Sequence, residues 1–260
     1  MTQSLEQHLT VDIQDIMLRH GGGDTDHNGN SSAVLIIVDA VRGFTQHGAL
    51  ADRKSMAPMV AHICRLSKAF LSRYSRGDGR IVILRDCHRS DVPEPPYPPH
   101  CVKGTGEEDL DPDLGWLWGK RRGGRVSSID KDCINGFVGA EIQRPYKNSY
   151  YNQLVDELKD VRDVVIVGCC TDICVLDLVT SLLSARNHGM LTSVGKRRKA
   201  YAEAIGEMRI IVYKPGCATF DSSNHPGELM NHIGLHIMAS RGALIAGSLS
   251  IQSGSIVAEL

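Results

Sequence analysis

No apolar run in the 260-residue sequence approaches the roughly 18–20 residues needed to cross a bilayer, which argues against a helical membrane span. A charge excess of either sign is missing as well. Lys and Arg number 29 against 30 Asp and Glu, a formal net charge of -1. That balance argues against the whole chain as a nucleic-acid or membrane-surface binder. The first residues show no basic-then-apolar leader pattern, because Glu6, Asp12 and Asp15 interrupt it. The eight cysteines lack the framework spacing of a small disulfide-stapled protein, and several sit inside apolar runs. Reduced thiols in a cytoplasmic protein are the expectation. No internal repeat is visible. Two basic runs, Lys120, Arg121 and Arg122 with Arg125, and Lys196 to Lys199, lie in Gly-containing stretches without interleaved aromatics. They read as solvated insertions.

What is present suffices for a large core: 42% of residues are hydrophobic. Leu5, Leu9, Ile13, Ile16 and Met17 suggest a short amphipathic helix within residues 1–20, and residues 21–32 (GGGDTDHNGNSS) have the composition of a flexible linker. The chain therefore divides into an N-terminal extension and linker, 1–32, and one domain, 33–260. Within it, short apolar runs alternate with helical spacing. Strands are expected at Ala33–Val38, Arg80–Leu84, just before Lys131, and at Val164–Val167, Arg209–Tyr213 and Ala243–Ala246. Helices are expected at Ala57–Tyr74, from an Asn148 or Ser149 cap to Lys159, from the fourth strand to about Asn187, and at Pro226–Ser240. Such alternation implies βαβ units and a parallel sheet. Sheets of this kind bind ligands beyond the carboxyl ends of their strands. Asp39, Asp86, Lys131 and the segment Cys169–Cys174 stand there.

Cys174 falls in the first turn of the helix that follows VVIVGCC. Free N–H groups and the positive helix end favour thiolate there, and the same N–H groups can hold an oxyanion. A lone cysteine in an apolar segment is more often a small core residue. Its company changes that balance. Asp39 ends an apolar strand and can act as a general base, although a turn or cap role fits it equally in isolation. Lys131 can stabilise a thiolate, although alone it reads as a surface lysine. In LRDCHRSDVPEPPYPPHCVKGT (84–105), Asp86 and His88 project to one side of an extended chain, and a proline-rich loop can return His100 to them. One carboxylate and two imidazoles suit a divalent transition metal: Zn²⁺, or Fe²⁺ or Mn²⁺. Cys87 and Cys101 should point away.

In combination, VDAVRGF (38–44), RDCHRSDVPEPPYPPHCVKGT (85–105), KDCINGFVG (131–139), GCCTDICV (168–175), SARNHG (184–189) and GCATFDSSNHPGELMNHIGLHIMASRGA (216–243) resemble the nicotinamidase branch of the isochorismatase-like cysteine hydrolases. The likeness is greatest to the plant-type members and spans roughly 33–246. It implies a three-layer α/β/α fold with a six-stranded parallel sheet in Rossmann-like order. It implies an Asp39–Lys131–Cys174 triad and metal ligands Asp86, His88 and His100. It also implies a cis peptide at Cys169–Cys170, an oxyanion hole from the backbone N–H groups of Cys170 and Cys174, and ring stacking between Phe44 and Tyr97. The expected activity is hydrolysis of nicotinamide, or pyrazinamide, by a cytoplasmic enzyme of NAD salvage, and a homo-oligomer is among the expectations. Departures from the family pattern are Val41 where many members have Gln, no further His at Ser90–Val92, Tyr97 in place of Trp, and an apparent insertion at 190–208. Two rivals remain. One is a related hydrolase acting on a carbamoyl compound, a ureide or isochorismate, and the other is a non-catalytic binding member.

Overall fold

A computed structural model describes residues 33–73, 79–144, 149–159, 161–192, 208–252 and 255–259. The expected N-terminal helix and linker, the Lys196–Lys199 run and most of the 190–208 insertion lie outside these residues. The described elements are β1 (Ala33–Val38), α1 (Arg42–Thr45), α2 (Arg53–Arg73), β2 (Gly79–Asp86), a 3₁₀ segment (Pro112–Gly123), β3 (Val126–Lys131) and α3 (Gly136–Gly139). There follow β4 (Glu141–Arg144), β5 (Ser149–Asn152), α4 (Gln153–Leu158), β6 (Asp163–Cys169), a π turn (Thr171–Val175) and α5 (Leu176–Asn187). The chain continues through β7 (Arg209–Ala218), α6 (Gly227–Ser240), β8 (Leu244–Ala246), β9 (Ser248–Gln252) and β10 (Ser255–Glu259).

Six strands form one parallel sheet in the order β3-β2-β1-β6-β7-β8. β1 and β6 are buried at every position because the sheet is covered on both faces. Their side chains alternate between two cores, as the two-residue strand period requires. Leu35, Ile37, Val165 and Val167 pack with Met56, Met59, Ile63 and Phe70 of α2. Val34, Ile36, Val164 and Ile166 pack with Leu178, Val179 and Leu182 of α5 and Met238 of α6. Three layers result, and all six expected strands are present.

Three local expectations change. Ser149 begins β5, which pairs antiparallel with β4, rather than capping a helix. The helix starts at Gln153, where Asn152 accepts hydrogen bonds from the N–H groups of Leu154 and Val155. α2 begins four residues earlier than expected, because Asp52 accepts from the Ser55 N–H and ends the preceding loop. The Lys120–Arg122 run belongs to a 3₁₀ segment rather than a loop. Asp111 caps it, Pro112 occupies its first turn and Gly124 ends it at φ 68°. Arg121 lies 5.1 Å and Arg85 5.4 Å from the Trp118 ring, so this basic run is in part held down on its own surface. Among the described residues no helix is long and apolar enough to cross a membrane.

Candidate active site

The parallel register brings the functional side chains together. Val38 pairs with Leu84 on one side and Gly168 on the other, and Asp86 pairs with Lys131. Asp39, Asp86, Lys131 and the turn after Cys169 therefore share one edge of the sheet. Gly168 permits this closeness. At its φ of 126°, a Cβ would lie 1.9 Å from the Val38 carbonyl oxygen. Asp39 itself has φ 51°, its N–H donates to the Leu84 carbonyl, and its carbonyl accepts from the Cys169 thiol at 3.1 Å. The Cys169–Cys170 peptide is cis. The nucleophile segment begins as a π turn before α5, and the Cys170 carbonyl accepts from both Ile173 and Val175.

Lys131 stands at the centre and is fully buried. Its Nζ lies 2.9 Å from Asp39 Oδ2, 2.9 Å from Asp86 Oδ1, 3.0 Å from the Cys133 carbonyl oxygen and 3.9 Å from Cys174 Sγ. Burial works against the ammonium. Asp39, Cys174 and Asp86 outweigh it and hold Lys131 well above its ordinary value. The two carboxyls diverge. Burial is the largest influence on Asp39 and pushes it from 3.8 up to about 6, against the pull of Lys131. Burial also opposes ionisation of Asp86, yet Lys131 and the imidazoles of His100 and His88 hold it well below the usual range. The Cys174 thiol is pushed up by burial and by both carboxylates, against Lys131.

Asp86, His88 and His100 form a buried cluster with ligand atoms within 4.8 Å of one another. A short parallel bridge between His88 and Val102 closes the proline loop, which contains a cis Pro95–Pro96 bond, and seats His100 beside His88. Nε2 of His88 is 3.1 Å from both Asp86 oxygens, and Nε2 of His100 is 3.0 Å from Asp86 Oδ2. His100 Nδ1 donates to the Pro98 carbonyl at 2.8 Å. A neutral imidazole with that tautomer turns its Nε2 lone pair toward Asp86, so acceptor faces acceptor unless a cation or proton stands between them. The donor set thus fits a divalent metal. Sequence reasoning missed Glu94, whose Oε2 lies 3.6 Å from Nε2 of both histidines. Its only signal was an acidic residue inside the proline loop. Cys87 and Cys101 are not in the cluster, and all eight cysteines are free.

The pocket over these groups contains Asp86, Glu94, His100, Cys170 and Cys174. Phe44 and Tyr97 line it, each against His100 with ring centroids 5.7 and 6.1 Å away. Leu50, Ile134, Ile173 and Phe220 complete the apolar wall and were not foreseen, since nothing in their local sequence marks them.

A family model described as the isochorismatase domain matches residues 33–238. Nicotinamidase 1 of Arabidopsis thaliana is 37% identical over 244 residues, covering 87% of this chain and 90% of that protein. Among solved structures, the pyrazinamidase/nicotinamidase of Streptococcus mutans superposes with a TM-score of 0.59 at 24% identity, covering 82% of this chain and 99% of its own. The N-carbamoylsarcosine amidase of Thermoplasma acidophilum gives 0.54 at 20% identity, covering 82% and 95%. At these identities the two structures speak to the fold alone. With the family model and the plant relative each covering most of the sequence, the chain belongs to the isochorismatase family.

Proposed function

We infer that this protein is a nicotinamidase, an amidohydrolase that converts nicotinamide to nicotinate and ammonia through a cysteine thioester. The observation that carries the reading is the fully buried Lys131 ammonium, 2.9 Å from Asp39 and 3.9 Å from the Cys174 sulfur, beneath a pocket that Cys174 lines together with Asp86 and His100 of the metal-type donor cluster. The 37% identity to the plant nicotinamidase supports the choice of substrate. In this reading the hydrolase domain spans 33–260 and works in the cytoplasm, where its eight thiols stay reduced.

Asp39, pushed up to about 6, can accept a proton near neutral pH, and burial raises the Cys174 thiol, so the thiol calls for a general base beside it. Asp39 takes the thiol proton, and sulfur attacks the carboxamide carbon. Lys131 compensates the negative charge that sulfur and Asp39 share in turn. The backbone N–H groups of Cys170 and Cys174 receive the oxyanion. The C–N bond breaks as Asp39 returns the proton to the departing nitrogen, and ammonia leaves a thioester. Asp39 then draws a proton from water, hydroxide adds to the thioester, and nicotinate is released with the thiol restored. Asp86, His88 and His100, with Glu94 at the rim, would hold a divalent ion, with Zn²⁺ the best match to the two-imidazole set. When bound, that ion supplies a Lewis-acid anchor for the pyridine nitrogen. Phe44 and Tyr97 hold the ring faces, contacts contributing roughly 0.5–1.5 kcal/mol beyond area burial.

The test is kcat/KM for nicotinamide, pyrazinamide, benzamide and N-carbamoylsarcosine on one metal-loaded preparation. Nicotinamide and pyrazinamide should be turned over. Benzamide lacks the ring nitrogen and should fall by at least about one to two orders of magnitude. Faster turnover of the carbamoyl compound would replace this reading.

A further inference from the structure

Phe220 belongs to the pocket but not to the ring-binding pair. Phe44 and Tyr97 lie against His100, at the β2 end. Phe220 follows β7, two residues beyond Ala218, which pairs with Cys169. Across the sheet the order is β2, β1, β6, β7, with neighbouring strands about 4.8 Å apart. The nucleophile turn thus separates the donor cluster from Phe220. Phe220 is also deliberately held. His225 stacks on its ring at 4.1 Å and 21°. His225 Nε2 in turn lies 3.3 Å from Asp172 Oδ2, inside the nucleophile turn, and 3.2 Å from Thr219 Oγ1. On the other side, Asp221 N–H donates to Asp52 Oδ2, while the Asp52 N–H donates to the Phe44 carbonyl. One carboxylate residue therefore ties the Phe220 loop to the opposite pocket wall.

We propose that Phe220 is a specificity-determining residue that walls the amide-nitrogen side of the pocket and restricts the enzyme to unsubstituted carboxamides, and that His225 is its positioning residue. This rests on the nicotinamidase reading, in which the pyridine points toward the donor cluster and the carboxamide carbon sits at Cys174. A secondary amide prefers the trans form, which places its N-substituent anti to the ring. That direction leads away from the β2 end, past Cys174 and toward Phe220. A primary carboxamide has only hydrogen there and meets no wall. For an N-methyl amide the chemistry is unchanged: the thioester forms, the C–N bond breaks and Asp39 protonates the nitrogen, so methylamine leaves in place of ammonia.

The experiment compares kcat/KM for nicotinamide, nicotinamide methylated on its amide nitrogen, and nicotinamide methylated on the ring. In Phe220→Ala the N-methyl amide should gain on nicotinamide by at least about tenfold, and the ring-methylated compound should not. Phe220→Leu should move the same ratio in the same direction by less, which covers a failure of the alanine variant to fold. His225→Ala should reproduce part of the shift, and His225→Phe, which retains a flat ring for the stack, should return the ratio toward that of the unmodified protein. An unchanged ratio, with both amides slowed together, would reduce Phe220 to a packing residue and overturn the proposal. A gain confined to the ring-methylated compound would overturn it too, by placing Phe220 against the ring. Failure of the unmodified enzyme on nicotinamide would sink the underlying reading as well, and it is recognisable before any variant is made.

Discussion

Asp39 and Asp86 lie at two ends of one site, each 2.9 Å from the same Lys131 ammonium, and both are buried. Their acidities nevertheless move apart. Asp39 rises to about 6 because burial outweighs its single cationic partner, and a second carboxylate lies nearby. Asp86 stays well below the usual range because two imidazoles join Lys131 against its burial. One ammonium therefore serves two carboxylates with different tasks. The end with one partner can exchange a proton near neutral pH, and the end with three stays anionic and suits a metal. Titratable groups driven apart by their surroundings are the pattern from which acid–base roles are assigned.

The comparison can be tested from the largest effect downward. Removing the sulfur that Asp39 serves, in Cys174→Ala, should lower turnover by roughly 10⁴-fold or more while nicotinamide still binds, as calorimetry would show. Substantial residual turnover would remove Cys174 from its role. Asp39→Asn and Asp86→Asn should then separate. The first should lose about 10²–10⁴-fold in kcat with its metal content intact. The second should lose the metal in elemental analysis and carry most of its loss in KM. Matching profiles for the two variants would dissolve the distinction. The smallest effect is in pH. Only ionised Asp39 accepts the thiol proton, so kcat/KM should rise with pH up to about 6 and fall about tenfold per unit below it. A raised acid pKa also means that Asp39 stabilises the fold fully below its ordinary 3.8, and that this contribution is lost as pH rises through about 6. An acid limb centred near 4 in the rate profile would show that Asp39 is not perturbed as its burial implies.

Much of the site was legible because strand ends are legible. The run Ala33–Val38 is apolar throughout and then stops at a carboxylate, and Arg80–Leu84 leads likewise to Asp86. An apolar strand that ends on a charge places that charge at the sheet edge, whatever the loops do. The Asp86–His88 spacing carried its geometry with it, because residues two apart in an extended chain face one side. Other features were not legible. Glu94, Leu50, Ile173 and Phe220 reach the pocket from loops and turns whose course depends on distant partners, such as the bridge from His88 to Val102 and the bond from Asp221 to Asp52. The helix expected from Asn148 or Ser149 became a hairpin and a short helix because Tyr150 and Tyr151 found a partner strand in Ile142 and Gln143.

The sequence by itself determined the layered α/β architecture, and it carried the residue types and spacings of the six side chains that the family resemblance marks as triad and donor cluster. These follow from periodicity and from residue chemistry, which are local properties. Only the tertiary structure decided that one lysine bridges both carboxylates, that burial and partners drive the acidities of the two carboxylates apart, and that Phe220 joins the pocket lining. Each of these depends on burial and on distances between residues far apart in the chain. In a low-dielectric interior such distances, more than residue identity, set the energy of a charge.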